Sequence, residues 1–250
     1  MSARTIVVTG GSAGIGAALA ERLAARGDAV VIVARRQREL EEVASRCVGR
    51  AHPIVADVTS RDEVRRVVRE SMVRLGSIDV WVNNAGRGIT RQVSQLTDED
   101  VDEMMRVNVK AALYGMQEIL PHFIERGSGQ IINVSSMLGR VPMATFRSAY
   151  NGAKHFLNAI TANLREELRE EHPGITVSLV SPGVVATEFG INAAYGGPDS
   201  RALPMTQPVE EVAEVIERVI DTHATDVYTR SGMRQMVLDY FGRLGTDPSL

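Results

Sequence analysis

Thr9-Gly10-Gly11-Ser12-Ala13-Gly14-Ile15-Gly16 is the stretch on which the fold turns. It follows a β-branched run, Thr5-Ile6-Val7-Val8, and opens a segment where Ile15, Leu19 and Leu23 recur at helical spacing opposite Glu21, Arg22 and Arg26. A pyrophosphate can approach the backbone of such a turn because glycines put no side chain in its way. The helix that follows offers it free N–H groups and partial positive charge. A second β-branched run at 29–33 completes a βαβ unit, and in that setting the turn reads as a cradle for a dinucleotide.

Further runs near 53–55, 78–82, 130–134, 175–180 and 226–228 read as strands, each separated from the last by a helical pattern. One helix is expected to open at Ser60 with Glu63 three residues on as a capping box, burying Val64, Val67, Val68 and Met72. Two longer patterns cover roughly 98–126 and 149–171. This alternation predicts an α/β fold: one Rossmann-like domain over 1–250, a doubly wound parallel sheet of about seven strands with helices on both faces. Ligands of such sheets bind at the carboxyl edge of the strands. The irregular stretch 188–208, with Gly196, Gly197, Pro198, Pro204 and Pro208, reads as a substrate loop over that edge.

Composition narrows the function. A chain of 250 residues with 44% hydrophobic content can bury a full core, and a net charge of −3 with dispersed Lys and Arg argues against nucleic acid as a partner. No apolar run approaches the roughly 18 to 20 residues of a membrane span, and the chain enters its first strand with no signal peptide, so a soluble cytoplasmic protein is expected. The single cysteine, Cys47, allows no internal disulfide and reads as an inert thiol. Histidines 52, 122, 155, 172 and 223 show no metal-ligand spacing, so no metal is expected, and His155 lies about 100° around its helix from Lys154.

The glycines at 10, 14 and 16 follow Gly-x-x-x-Gly-x-Gly. Together with Asn83-Asn84-Ala85-Gly86, Asn133-Val134-Ser135-Ser136, Tyr150-Asn151-Gly152-Ala153-Lys154 and Ser181-Pro182-Gly183, they give a chain that resembles the short-chain dehydrogenase/reductase family over almost its whole length. The resemblance implies a catalytic tetrad of Asn108, Ser136, Tyr150 and Lys154, with Asn108 holding a water that links the lysine to solvent. It also implies a cofactor lining of Gly10, Ser12, Ile15, Asp57, Val58, Asn84, Ala85, Gly86, Pro182, Gly183, Val185 and Thr187, to which the turn itself adds Ala13, Gly14 and Gly16.

The residues support that chemistry independently. Reducing a ketone requires an acid for the developing alkoxide and a donor to polarise the oxygen. Tyr150 and Lys154, at i and i+4, project from one helix face, where a cation favours the phenolate; Lys154 can also reach the nicotinamide ribose, beside Tyr150. Ser135 and Ser136 point to opposite faces of a strand, and the Ser-x-x-Gly pattern of Ser136 and Gly139 selects Ser136 as the donor. Ser136 precedes Tyr150 by fourteen positions where thirteen are usual in the family, which predicts a bulge between Gly139 and Ser148. Gly152 weakens its helix slightly and does not touch the chemistry.

The second strand ends in Ala34-Arg35-Arg36, with no acid to receive a ribose 2′-hydroxyl, and the two guanidiniums suit a 2′-phosphate. NADP(H) rather than NAD(H) is therefore the expected cofactor of an oxidoreductase acting on a small carbonyl or alcohol. The competing readings are a nicotinamide-using epimerase or dehydratase and a non-catalytic dinucleotide-binding regulator. Met137, Leu138, Phe146, Phe189 and Tyr195 suggest an apolar substrate pocket. A homodimer or homotetramer built on the two long helices is expected. In 149–171, Phe156, Leu157, Ile160, Leu164 and Leu168 would face the chain's own sheet, leaving Asn158, Ala159, Ala162 and Asn163 to a partner helix.

Overall fold

The structure is a computed structural model and describes residues 3–246. Seven parallel strands form one sheet: β1 (Thr5–Thr9), β2 (Ala29–Ala34), β3 (Ala51–Val55), β4 (Val80–Asn83), β5 (Gly129–Val134), β6 (Ile175–Ser181) and β7 (Asp226–Tyr228). Their order is β3-β2-β1-β4-β5-β6-β7. The chain runs outward from β1 to β3 on one side, then crosses back to place β4 against the other side of β1. The strand order thus reverses between β1 and β4, and the carboxyl edge at such a switch point is where ligands of these sheets bind.

Helices cover both faces. On one side α1 (Gly14–Arg26), α2 (Gln37–Arg46) and α7 (Val209–Thr222) pack on Ile6, Val8, Val30 and Ile32. On the other, α3 (Arg61–Leu75), α5 (Ala111–Arg126) and α6 (Ser148–Leu168) pack on Val7, Val31, Trp81 and Ile131. Burial on both faces is why the central strands read as unbroken apolar runs rather than alternating ones. Each fully buried Val, Ile or Leu stabilises the fold by about 1.5–3 kcal/mol. Two further helices are α4 (Asp98–Met105) and α8 (Met233–Phe241). Among the described residues no helix is long and apolar enough to cross a membrane.

Three expectations are corrected. Ser60 occupies the N-cap of α3 without a side-chain cap bond, and Glu63 pairs with Arg66 at 2.7 Å instead of reaching back; capping boxes form instead at Gln92 with Gln95 and at Thr97 with Asp100, the latter at the start of α4. The pattern over 98–126 is not one α-helix. Residues Arg106–Lys110 form a π-turn between α4 and α5, where the Ala111 N–H reaches back to the Arg106 carbonyl. Finally, Phe156 is 47% exposed, whereas Asn158 turns inward: Ser135 Oγ donates to its Oδ1 at 2.5 Å and its Nδ2 donates to the Gly139 carbonyl at 2.6 Å. Ala159, Ala162 and Asn163 do lie on the exposed face.

Candidate active site

Every strand from β1 to β6 delivers a candidate residue at its carboxyl end. Behind β1, Gly10 and Gly14 have φ of +70° and +55°, in the left-handed region that favours glycine. A Cβ on Gly10 would lie 2.9 Å from Ala85 Cα, and one on Gly16 would run into the Gly10 carbonyl, so the turn is packed against the loop after β4. Thr9 fastens the two: its Oγ1 accepts from the Asn84 and Ala85 N–H groups at 3.0 and 3.2 Å, while Asn84 Nδ2 donates to the Thr9 carbonyl at 3.0 Å. Sequence reasoning gave Thr9 no role, although a threonine ending a buried strand is a usable signal. A Cβ on Gly14 would meet Thr187 Cγ2 at 3.2 Å, so the segment behind β6 lies across the same turn. α1 begins with no acidic residue in its first turn and no side-chain cap, which leaves its amides free for an anion. Ser12, Ala13 and Ile15 complete this turn.

Behind β2, Arg35 is exposed and Arg36 occupies the N-cap of α2. Arg36 Nη2 donates to Ser12 Oγ at 3.2 Å, and its Nη1 pairs with Glu39 at 3.3 Å. Asp57 and Val58 follow β3. Burial acts to raise the Asp57 carboxyl, but hydrogen bonds from Thr59 and the charges of Arg35 and Arg106 outweigh it and hold the group below the usual carboxylate range. Pro182, Gly183 and Val185 follow β6, and the Pro182 carbonyl accepts from Met137 N–H at 2.7 Å, joining the ends of β5 and β6.

Two of the tetrad candidates, Asn108 and Lys154, meet at Gly86. A Cβ there would lie 2.9 Å from Asn108 Oδ1 and 3.7 Å from Lys154 Nζ. Asn108 sits in the π-turn, and its amide clamps the loop: Oδ1 accepts from Arg87 N–H at 3.1 Å and Nδ2 donates to the Arg87 carbonyl at 2.9 Å. A buried polar chain fixes the elements behind. Asn83 Nδ2 donates to Asn133 Oδ1 at 2.9 Å, and Asn133 Nδ2 donates to Thr161 Oγ1 at 2.8 Å, so β4, β5 and α6 are held in one register. Lys154, on α6, is buried and donates to the Val134 carbonyl at 3.0 Å, with Nζ 5.7 Å from the Tyr150 ring centroid.

Burial governs the titration of this pair. It pushes the Tyr150 phenol up to about 12, against the Ser136 hydroxyl and the Arg147 charge, which pull it down. The Lys154 ammonium is brought down to about 8 by the same cause. Ser136 Oγ also accepts from Leu138 N–H at 3.1 Å. The extra residue before Tyr150 falls in a segment of tight turns, with Met143 N–H bonded to the Val141 carbonyl and Arg147 N–H to the Ala144 carbonyl, both at 2.9 Å. The loop at 188–208 reaches Tyr150 through Phe189, whose ring centroid lies 5.4 Å away, and Met137 and Leu138 stand on the β5 side. Phe146 and Tyr195, expected in that pocket, are 38% and 61% exposed. Cys47 is buried, and burial raises its thiol.

The family model described as short chain dehydrogenase matches residues 4–195. An uncharacterised oxidoreductase of Staphylococcus epidermidis is 34% identical over 193 residues, which are 77% of this chain and 83% of that protein. A short-chain dehydrogenase from Sphingobium yanoikuyae, solved with NADPH, superposes with a TM-score of 0.81 at 26% identity, covering 99% of this chain and 100% of its own. A short-chain dehydrogenase/reductase from Burkholderia phymatum, solved with NAD, gives 0.88 at 20% identity, covering 99% and 98%, and speaks to the fold alone.

Proposed function

This chain belongs to the short-chain dehydrogenase/reductase family, and from that membership we propose an NADP(H)-dependent oxidoreductase that interconverts a ketone or aldehyde with an alcohol, using Tyr150 as acid and base. The observation that carries the reading is the convergence of Tyr150, Lys154, Ser136 and Asn108 beside a turn whose glycine positions a Cβ would fill. That cradle fits a dinucleotide: Gly10 to Gly16 would hold its pyrophosphate, Arg35 and Arg36 its 2′-phosphate, and Asp57 with Val58 its adenine end. Asn84, Ala85 and Gly86 would line its middle, with Lys154 on the ribose and Pro182, Gly183, Val185 and Thr187 along the nicotinamide end. When bound, the nicotinamide supplies or accepts the two electrons of the reaction.

The chain's own residues handle the oxygen and the proton. Ser136 Oγ donates to the carbonyl oxygen and polarises it. Tyr150 passes its phenolic proton to the alkoxide as charge develops, and in the reverse direction its phenolate removes the hydroxyl proton. Lys154 faces the phenol from the next helical turn and stabilises the phenolate while charged. Phe189 and the rest of the 188–208 loop exclude water over the reacting centre. The same reading carries a small-molecule substrate and a homodimer or homotetramer joined through the outer face of α6, where Phe156, Ala159 and Ala162 are exposed. A panel of ketones, aldehydes and secondary alcohols assayed at the nicotinamide absorbance band tests it. Consumption of NADPH with at least one carbonyl compound is expected; turnover without net cofactor change, or none with either dinucleotide, would overturn it.

A further inference from the structure

Arg147 is the N-cap of α6, with φ −98° and ψ 26°, and Tyr150 and Lys154 follow it within the helix at i and i+4 of one face. Arg147 is only 6% exposed, yet among the described residues it forms no ion pair with a carboxylate. Its Nη1 donates to neutral acceptors, the Ile89 carbonyl at 3.2 Å and Thr90 Oγ1 at 3.0 Å. The Phe189 ring neighbours both groups, 5.9 Å from the Arg147 guanidinium carbon and 5.4 Å from the Tyr150 ring. Burying a charge without a counter-ion costs several kcal/mol, and an apolar residue of similar volume would fill the site at less cost.

The charges on the surrounding elements are already matched to one another. Arg91 pairs with Asp100 at 2.8 Å, Arg87 with Glu103 at 3.5 Å, and Glu188 in the substrate loop with Arg201 at 3.6 Å. From α6 itself the phenol meets Lys154, from the end of β5 the Ser136 hydroxyl, from the π-turn the neutral Asn108, and from the loop only the Phe189 ring. Arg147 and Lys154 are thus the two cations near Tyr150 that no carboxylate neutralises among the described residues, and the positive end of α6 adds to their field.

We propose that Arg147 is a positioning residue for Tyr150, a second fixed cation that stabilises the phenolate from one helical turn before it as Lys154 does from one turn after. The proposal rests on Tyr150 being the acid–base group of the preceding section. Two cations serve where one would fail. Burial draws the Lys154 ammonium down to about 8, so it loses its charge as the solution becomes alkaline, the condition under which a phenolate is needed to oxidise an alcohol. Burial lowers the Arg147 guanidinium too, but a guanidinium starts from so high a value that it keeps its charge through that range. Arg147 then remains as a permanent charge behind the phenol.

The test reads the ionisation of Tyr150 without requiring turnover. Protein carrying [13C]ζ-tyrosine is titrated with NADP+ bound, the Tyr150 resonance being identified by its loss in Tyr150→Phe. In Arg147→Met and Arg147→Gln the midpoint should rise by at least about one pH unit, a tenfold change in acid dissociation. In Arg147→Lys, which keeps a charge while protonated, the rise should be smaller than in Arg147→Gln. The acidic limb of kcat/KM for alcohol oxidation should move by the same amount in the same variants. Arg147→Gln retains donors for Ile89 and Thr90 and serves if Arg147→Met does not fold. A midpoint unmoved in Gln, or moved equally in Gln and Lys, would make Arg147 a staple of the 89–90 loop and overturn the proposal. A wild type that oxidises no alcohol while the midpoints shift as stated would instead overturn the proposed activity alone.

Discussion

The Ser135 hydroxyl donates to Asn158 Oδ1 at 2.5 Å, while its neighbour Ser136 turns to the opposite side, where its hydroxyl acts on the Tyr150 phenol. Adjacent residues just past the end of β5 thus serve different purposes, one tying the end of β5 to α6 and the other capping the turn at Met137–Gly139 beside Tyr150. Ser136→Ala should lower kcat by two to three orders of magnitude, about 2.7–4 kcal/mol, with NADPH affinity nearly unchanged. Ser135→Ala should stay within several-fold of wild-type kcat and show its effect in thermal unfolding, losing about 1 kcal/mol. Steady-state kinetics and melting curves of both variants check this; the reverse ranking in kcat would assign the chemistry to Ser135.

Arg35 forms no ion pair among the described residues, whereas Arg36 is shared between Glu39 and Ser12. Arg35 is therefore the guanidinium with more to offer a 2′-phosphate. Arg35→Asp should shift the ratio of kcat/KM for NADPH over NADH by at least about tenfold toward NADH, or 1.4 kcal/mol. Arg36→Ala should shift it less. An unchanged ratio in Arg35→Asp would mean that the phosphate is held by other groups.

Lys154 ordinarily titrates at 10.5 and in the fold near about 8. Between those values the unfolded chain binds a proton that the folded chain releases, so stability rises with pH across that window. Tyr150 acts with the opposite sign: its ordinary value is 10.0, raised to about 12, and its contribution is lost as pH climbs from 10 to 12. Thermal unfolding should thus be most resistant near pH 10. Lys154→Met should abolish turnover yet stabilise the fold at pH 7 by up to about 3 kcal/mol, read as a higher melting temperature, a gain that fades toward pH 10. A melting temperature that falls at pH 7 would show that the Val134 hydrogen bond outweighs the burial of charge.

The 188–208 loop is latched at a distance from Tyr150. Ala194 exchanges backbone hydrogen bonds with Gly88 and Thr90, both 2.9 Å, and Tyr195 Oη donates to Asp100 Oδ1 at 2.9 Å while accepting from Arg91 Nη1 at 3.0 Å. Tyr195 also has φ of +65°, a conformation that costs a bulky residue about 1–3 kcal/mol and persists because these contacts hold it. Tyr195→Phe should quicken limited proteolysis within 188–208 and raise KM several-fold with kcat little changed. Identical digestion patterns for variant and wild type would show that the backbone ladder suffices.

The strands and the glycine turn were legible because burial on two faces and backbone contact leave little choice of residue: Val, Ile and Gly recur wherever the sheet or the cradle requires them. The break at Arg106–Lys110 was not. Its flanking residues keep ordinary helical dihedrals, φ −67° at Met105 and −58° at Ala111, and no Gly or Pro marks the change in hydrogen bonding. Asn158 misled for a different reason. A polar residue on a helix reads as solvent-facing until a buried hydroxyl such as Ser135 and an unpaired carbonyl such as that of Gly139 compete for it. Arg147 drew no notice in the sequence, because its burial without a counter-ion is a property of segments that meet only in the fold.

The π-turn also places a constraint on chain length. A single deletion anywhere from Arg106 to Lys110 would be expected to let Asp98–Arg126 run as one uninterrupted rod, turning its leading half by about 100° and shortening it by about 1.5 Å. The Arg91–Asp100 pair and the Asn108 clamp on Arg87 would then be carried to different azimuths, and they could not both be restored by substitution. Insertions and deletions should therefore be far less tolerated across these five positions than any exchange of side chains, so that here it is the count of residues, more than their kind, that natural variation must preserve.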